Sequence, residues 1–227
     1  MRSPKAVQQY APEVKLIAVL QEPIDRAISA YAWSRRSPTV SIHLPATAEE
    51  TFRIILDREY AISPTIKARL AELVTQGFYD TLLARWLDMF TTDAFLILTY
   101  DEVYNDPVQL LEKVYRFIGV SPDFTPESLN SKPKQTNYTI PESARTKRNK
   151  LTRLAVRVYE KLKTHFTASD MHSAFRVSDQ TKERLAEMFV DHVEGTDELL
   201  RQLPSKQRPQ DDLMSLWGYS AKIKSDT

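Results

Sequence analysis

Three polar residues whose side chains can donate hydrogen bonds follow a short apolar run near the start of the chain. The run covers residues 15–20, and Gln21, Arg26 and Ser29 come after it, with Pro23 between them. An amide, a guanidinium and a hydroxyl all donate hydrogen bonds to anionic oxygen, and arginine adds charge and two parallel donors. In open α/β sheets, phosphate-bearing ligands bind where such a strand ends and a helix begins.

The residues on either side of Pro23 predict a buried strand that turns sharply into a helix. Residues 15–20 are apolar, and from Ile24 to Tyr31 the apolar residues recur with a helical period. Because proline is favoured at the first helical position, we expect a helix over 23–36 that begins at Pro23. Anions bind at such a place because the end of the strand meets the positive N-terminus of the helix.

The remaining pattern predicts an α/β domain with a short parallel sheet flanked by helices. A second apolar strand is expected at 94–99, and Asp106 with Pro107 should open a helix that ends at Gly119. Other helices are predicted at 48–58, 66–76, 82–90, 150–165 and 179–203, and loops at 37–47 and 121–149. We assign 1–203 to one domain and 204–227 to a polar C-terminal tail, in which Leu213, Leu216 and Trp217 are the residues that can dock back.

The composition excludes several classes of site. The 227 residues contain no cysteine, which excludes disulfides, thiol catalysis and cysteine–zinc sites, and we expect no metal. No apolar run is long enough to span a membrane and no N-terminal stretch resembles a signal peptide, so we expect no membrane segment and favour a cytoplasmic location for the chain as given. The net charge of +1 gives no indication of a nucleic-acid partner.

Local charge and glycine content are more informative than the totals. Residues 132–163 carry ten Lys/Arg and two Glu, which is typical either of a solvated face or of a segment lying over an anionic ligand. The first of the four glycines is Gly77. A glycine-rich phosphate loop is therefore excluded from the first 76 residues.

The stretch at 15–29 resembles the segment of nucleotide-dependent sulfotransferases that holds the 3′-phosphate of 3′-phosphoadenosine 5′-phosphosulfate. In that family the strand is followed by Arg-x-Pro-x-x-Arg-x-x-Ser, and the first Arg and the Ser bind the phosphate. Here Pro23, Arg26 and Ser29 match the pattern. Gln21 stands where the family has its first arginine, so a neutral amide replaces a charged fork.

A second stretch strengthens the resemblance to sugar-modifying sulfotransferases and their bacterial relatives. The matching pieces, in the family's order and spacing, are Gly77-Phe78-Tyr79, Leu83 to Phe90 with Trp86-Leu87, Tyr100-Asp101-Glu102-Val103, Asp106-Pro107 and Phe117-Ile118-Gly119. The resemblance covers roughly 13–203 and implies a partial three-layer, P-loop-like sulfotransferase fold.

The resemblance implies transfer of a sulfuryl group from 3′-phosphoadenosine 5′-phosphosulfate to an acceptor hydroxyl or amine, most simply on a sugar or glycan, with a small molecule as the other acceptor class. It assigns Ser29 and Gln21 to the 3′-phosphate and places Arg26 near the nucleotide; an ordinary helix serine and a salt-bridged arginine are the alternatives. Tyr79 and Tyr100 are assigned to the adenosine pocket, and buried core aromatics are the alternative. Lys132, Lys134 and Arg145 would contact the nucleotide from a closing loop.

The family's phosphosulfate loop and general base both precede the 15–29 segment, and this chain begins near that segment. We therefore expect an enzyme whose N-terminal portion is missing, with an exposed strand edge and poor solubility. The catalytic residue stays unassigned, since His43, His165, His172 and His192 have no predicted place at a strand end. Glu22, Asp25, Asp101 and Glu102 do lie at strand ends, but helix capping or pairing with Arg26 explains each of them equally well.

Two other classes of function stay open. One is a degenerate relative that binds the nucleotide without catalysis, which Gln21 favours. The other is an interaction module whose basic 132–163 segment binds an anionic polymer.

Overall fold

The structure is a computed structural model and describes residues 4–36, 44–57, 64–126 and 175–220, with the backbone alone at 36 and at 64–67. Two strands, β1 (Leu16–Leu20) and β2 (Phe95–Thr99), are set among nine α-helices in this part of the chain. The helices are α1 (Pro4–Tyr10), α2 (Pro23–Arg36), α3 (Ala48–Asp57), α4 (Pro64–Thr75), α5 (Tyr79–Leu87), α6 (Tyr100–Asn105), α7 (Pro107–Ile118), α8 (Asp179–Leu200) and α9 (Leu213–Leu216). Short 3₁₀ turns occur at Thr92–Ala94 and Ser205–Gln207. The predicted helix at 150–165, and 37–43 of the predicted loop at 37–47, lie outside the described residues.

Residues in contact fall into two compact units. The first unit comprises 1–26, 76–131 and 185–227, and the second comprises 27–75 and 132–184. Helices α2 and α8 each begin in one unit and continue into the other along the chain.

The sheet of the first unit is a parallel pair. Its register runs from Leu16 opposite Phe95 to Leu20 opposite Thr99. Parallel strands need a crossover connection, which here contains the intervening helices. The predicted fold class, α/β with a short parallel sheet and flanking helices, is confirmed.

Strand β2 is more deeply buried than strand β1. Every residue of β2 is buried, whereas β1 exposes 42% of Ile17 and 46% of Val19. Within the described residues β1 has a hydrogen-bonded neighbour on one side only. Among the described residues, β1 therefore has one unpaired edge and exposed apolar side chains, whereas a missing neighbouring strand and poor solubility stay predictions.

Local signals fix the helix ends where the sequence placed them. Helix α2 spans Pro23–Arg36 as predicted. Asp106 accepts a hydrogen bond from the Gln109 amide, and α7 ends at Gly119 with a φ of +83°, a left-handed value that favours glycine. Ile118 has the spacing of a core residue on α7, but 44% of it is exposed and α7 has no fully buried side chain.

Helix α8 supplies much of the first unit's core. Leu185, Phe189 and Val193 recur at a helical spacing and are buried, and Phe78 packs edge-on against Phe189 with ring centroids 5.8 Å apart. Buried Leu213 extends this core towards the C-terminus. Among the described residues, no helix is long and apolar enough to cross a membrane.

The second unit packs around Tyr31 of α2. Its ring lies 6.5 Å from that of Phe52 and 6.1 Å from that of Phe175, and its hydroxyl donates to the Pro45 carbonyl at 2.9 Å. Burying an aromatic ring with its hydroxyl paired avoids the cost of an unsatisfied donor.

Glu49 links two segments of the second unit. Its carboxylate accepts hydrogen bonds from the Ser178 amide at 2.8 Å, from the Ser178 hydroxyl at 3.0 Å and from the Thr181 hydroxyl at 2.7 Å. Desolvation would raise the pKa of Glu49, but these hydrogen bonds outweigh it and the pKa is lowered.

Glu49→Gln is expected to remove a pH-dependent part of the stability. A lowered folded-state pKa stabilises the protein above the unfolded pKa of Glu, and this stabilisation is lost as the pH falls through the folded value. Urea unfolding from pH 3 to 7 should therefore show a shallower acid loss in Glu49→Gln than in wild type, with exposed Glu72→Gln as the control. Parallel curves for wild type and Glu49→Gln would contradict the role of the carboxylate.

Candidate functional site

The carboxyl ends of β1 and β2 lie side by side in the first unit. Leu20 and Thr99 are register partners, so Gln21 and Tyr100 follow at the same edge of the sheet. Each strand then runs into a helix, α2 after β1 and α6 after β2. This is the edge where α/β sheets bind ligands and where helix N-termini favour anions.

Tyr79 fixes the backbone at Gln21. The Tyr79 hydroxyl donates to the Gln21 carbonyl at 2.8 Å and accepts from the Gln21 amide at 3.4 Å. The Gln21 side-chain amide makes no hydrogen bond within the described part of the chain.

Arg26 stands one turn into α2 and is mostly enclosed. Its Nη1 donates to Gln76 Oε1 at 3.3 Å. Burial lowers the pKa of Arg26, and Tyr79 opposes that shift. A guanidinium at such a site stays charged, and its partial desolvation strengthens its attraction to an anion.

Tyr79 is a buried, neutral donor. Only 8% of it is exposed, and burial raises the pKa of its phenol, an effect that Arg26 opposes. Its ring lies 6.3 Å from that of Trp217. Tyr100 differs, because 43% of it is exposed and its ring lies 5.6 Å from that of Tyr104.

The carboxylate of Glu22 occupies the start of α2. Its Oε2 accepts from the Asp25 amide at 2.7 Å and its Oε1 accepts from the Tyr219 hydroxyl at 2.6 Å. The sequence suggested the capping role of Glu22, whereas Tyr219 was missed. Its position in a polar tail gave no signal of a contact with residue 22.

Strand β2 ends in a capping box. The Thr99 hydroxyl accepts from the Glu102 amide, and Glu102 accepts from the Thr99 amide at 2.7 Å. Lys113 forms an ion pair with Glu102 at 2.9 Å. Asp101 accepts from Trp217 Nε1 at 3.2 Å, a second contact from the C-terminal segment to this edge.

Of the predicted nucleotide residues, Gln21, Arg26 and Tyr79 lie together in the first unit, and Tyr100 follows β2 at the same edge of the sheet. Ser29 belongs to the second unit, where it is exposed and its hydroxyl makes no hydrogen bond to a described residue. Lys132, Lys134 and Arg145 lie outside the described residues.

In the first unit, the side chain of His192 contacts Asp80 and Phe78. Its Nδ1 lies 2.9 and 3.0 Å from the two Asp80 oxygens, and its ring stacks on Phe78 with centroids 3.7 Å apart. The other three histidines are not among the described residues. In the described part of the chain, no group of three or more His, Asp or Glu side chains is placed to hold a metal ion.

Comparison with known proteins identifies the family. A family model described as sulfotransferase domain matches residues 3–197. The bifunctional heparan sulfate N-deacetylase/N-sulfotransferase 4 of Mus musculus is 29% identical over 122 residues, which are 54% of this chain and 13% of that protein. The corresponding enzyme 3 of Homo sapiens is 27% identical over 122 residues, with the same two shares.

A solved structure of a bacterial sulfotransferase is also similar. A sulfotransferase from Alicyclobacillus acidocaldarius aligns with 89% of this chain and 60% of its own, at 19% identity and a TM-score of 0.47. The matched region is about one eighth of the length of the curated relatives. The family model covers most of the length of this chain, and the chain therefore belongs to the sulfotransferase domain family.

Proposed function

We propose that this protein takes part in sulfuryl transfer from 3′-phosphoadenosine 5′-phosphosulfate to an amine or hydroxyl of a glycan. The match of residues 3–197 to the sulfotransferase domain carries the proposal. The relatives named N-sulfotransferases of heparan sulfate support the glycan as acceptor class and an amine as the acceptor group.

The described residues would hold the 3′-phosphate and adenosine end of the nucleotide. The side-chain amide of Gln21 keeps its donors for a ligand, and the enclosed guanidinium of Arg26 supplies positive charge. Ser29, eight positions after Gln21, would add a hydroxyl donor to the phosphate. Tyr79 and Tyr100 would bound the adenosine.

The nucleotide, when bound, supplies a sulfuryl group whose bond to the phosphate oxygen breaks as the acceptor attacks in line. The part of this chain is to bind and orient that donor, since positioning and electrostatic stabilisation dominate transfer of such groups. We assign no general base to a residue of this chain.

Ser29→Ala should weaken binding of the desulfated nucleotide, 3′-phosphoadenosine 5′-phosphate, by about 10- to 100-fold, the usual effect of losing one hydrogen bond to a charged group. Because Ser29 is exposed and unbonded to described residues, folding should be unaffected. Titration calorimetry measures the change, and Ser34→Ala on the same helix is the control.

The affinity for adenosine 5′-phosphate, which lacks the 3′-phosphate, should stay the same in Ser29→Ala. An equal loss of affinity for both nucleotides would mean that Ser29 does not contact the 3′-phosphate. Transfer of labelled sulfuryl to N-desulfated heparan sulfate, compared with a phenolic acceptor, tests the acceptor class.

A nucleotide-binding relative without catalysis is the second candidate. Gln21 in place of the family's arginine favours it, as does the Glu22 carboxylate at the start of α2, since both weaken the attraction for a phosphate. Nucleotide binding without any sulfuryl transfer would support this candidate over the first.

A further inference from the structure

The C-terminal residues 212–220, which we call the strap, lie against the carboxyl ends of both strands. Trp217 Nε1 donates to Asp101, which follows β2, at 3.2 Å. The Tyr219 hydroxyl donates to Glu22, which follows β1, at 2.6 Å. A segment predicted to be a polar tail therefore reaches the edge at which the family site is expected.

Hydrogen bonds from its own backbone attach the strap to α8. Asp197 Oδ1 accepts from the Leu213 amide at 2.8 Å and Oδ2 from the Met214 amide at 3.0 Å. Gly218 has a φ of +75°, and this left-handed turn brings the Tyr219 amide to the Met214 carbonyl at 2.8 Å. The turn directs Tyr219 back into the unit, where only 2% of it stays exposed.

The strap keeps negative charge at this edge. Tyr219 holds one oxygen of Glu22 while the other oxygen takes the Asp25 amide in the first turn of α2. That amide and the helix N-terminus are the groups that attract an anionic ligand. A phosphate approaching the closed edge meets the Glu22 and Asp101 carboxylates, both of which the strap orients.

We propose that the strap is an autoinhibitory gate, in which Tyr219 and Trp217 hold the edge closed and their release admits a phosphate-bearing nucleotide. The proposal rests on the proposed function for the identity of the ligand. In the closed state Glu22 takes the place of the ligand's phosphate at the start of α2. In the open state Glu22 loses its Tyr219 partner and can turn out to solvent.

Tyr219→Phe tests the gate, because it removes the hydroxyl and keeps the buried ring. We expect faster amide hydrogen exchange over 213–220 and about 3- to 10-fold tighter binding of 3′-phosphoadenosine 5′-phosphate, the effect of one lost hydrogen bond. Trp217→Phe, which removes the donor to Asp101, should act in the same direction. Tyr104→Phe, at a tyrosine that is 69% exposed, is the matched control.

The outcomes separate the gate from the proposed function. Faster exchange with unchanged nucleotide affinity in both variants would overturn the gate and leave the proposed function standing. Unchanged exchange in both variants would also overturn the gate, since the strap would not depend on these contacts. Lack of nucleotide binding by wild type and variants alike would overturn the proposed function and, with it, the gate's ligand.

Discussion

Gln21→Arg is expected to tighten binding of 3′-phosphoadenosine 5′-phosphate by about 10- to 100-fold, roughly 1.5–3 kcal/mol for a charge-assisted hydrogen bond. The side-chain amide of Gln21 keeps its donors at the end of β1, so an arginine there adds charge and a two-pronged donor without breaking a described hydrogen bond. The Tyr79 hydroxyl is hydrogen-bonded to the backbone of residue 21, so the backbone position from which the arginine side chain extends should not change.

Calorimetric titration of wild type and Gln21→Arg measures the gain, and raising the salt concentration should reduce it. Gln9→Arg, at an exposed position of α1, adds the same charge elsewhere and is the control for a general electrostatic effect. Equal gains in Gln21→Arg and Gln9→Arg would exclude a specific phosphate contact at residue 21.

Asp197→Ala is expected to destabilise the protein by about 2–5 kcal/mol, because it leaves the Leu213 and Met214 amides without acceptors at roughly 1–3 kcal/mol each. Asp197 is only 5% exposed, so water cannot readily replace the carboxylate. Urea unfolding gives the loss, and Asp191→Ala on the exposed side of α8 should change the free energy of unfolding by less than about 0.5 kcal/mol. Similar losses in both variants would contradict the anchoring role.

The pH dependence gives a second readout for Asp197. Burial raises the pKa of this carboxyl, and the hydrogen bonds from Leu213 and Met214 only partly oppose the shift. The native state therefore holds the proton more tightly than the unfolded state, and this contribution to stability is lost as the pH rises through the folded pKa. Asp197→Asn should remove that slope, which has the opposite sign to the slope expected from Glu49.

Features set by neighbouring residues could be predicted from the sequence. Pro23 sets the start of α2, and Asp106 with Gly119 sets the ends of α7, because a proline ring, a capping carboxylate and a left-handed glycine act within one turn. The strands were predictable for a related reason, because a short apolar run between polar turns is typical of a buried strand.

Features that join distant residues could not be predicted in this way. The Tyr219–Glu22 hydrogen bond spans 197 positions, and neither residue carries a local signal of the other. Asp197 is one of many acids along α8, and its burial follows from where residues 213 and 214 return to that helix. Ile118 had core spacing, yet its exposure depends on which neighbours cover its helix.

The position of Gln21 and Arg26 at a strand end was predictable from the sequence, whereas the electrostatics around them was less so. The pattern around Pro23 placed Gln21 and Arg26 at a strand end, and Tyr79 lies beside them. That prediction rested on the order and spacing of the motifs that this chain shares with the sulfotransferases. The carboxylates that the strap holds at the same edge change the electrostatics, and they follow from tertiary packing.

The most direct test of the account compares the affinity of the unmodified protein for 3′-phosphoadenosine 5′-phosphate and for adenosine 5′-phosphate by titration calorimetry. If Gln21, Arg26 and Ser29 hold the 3′-phosphate, the first nucleotide should bind at least about tenfold more tightly, as expected for one or more hydrogen bonds to a charged group. Equal affinities, or no binding of either nucleotide, would contradict the assignment of this sheet edge to the sulfuryl donor.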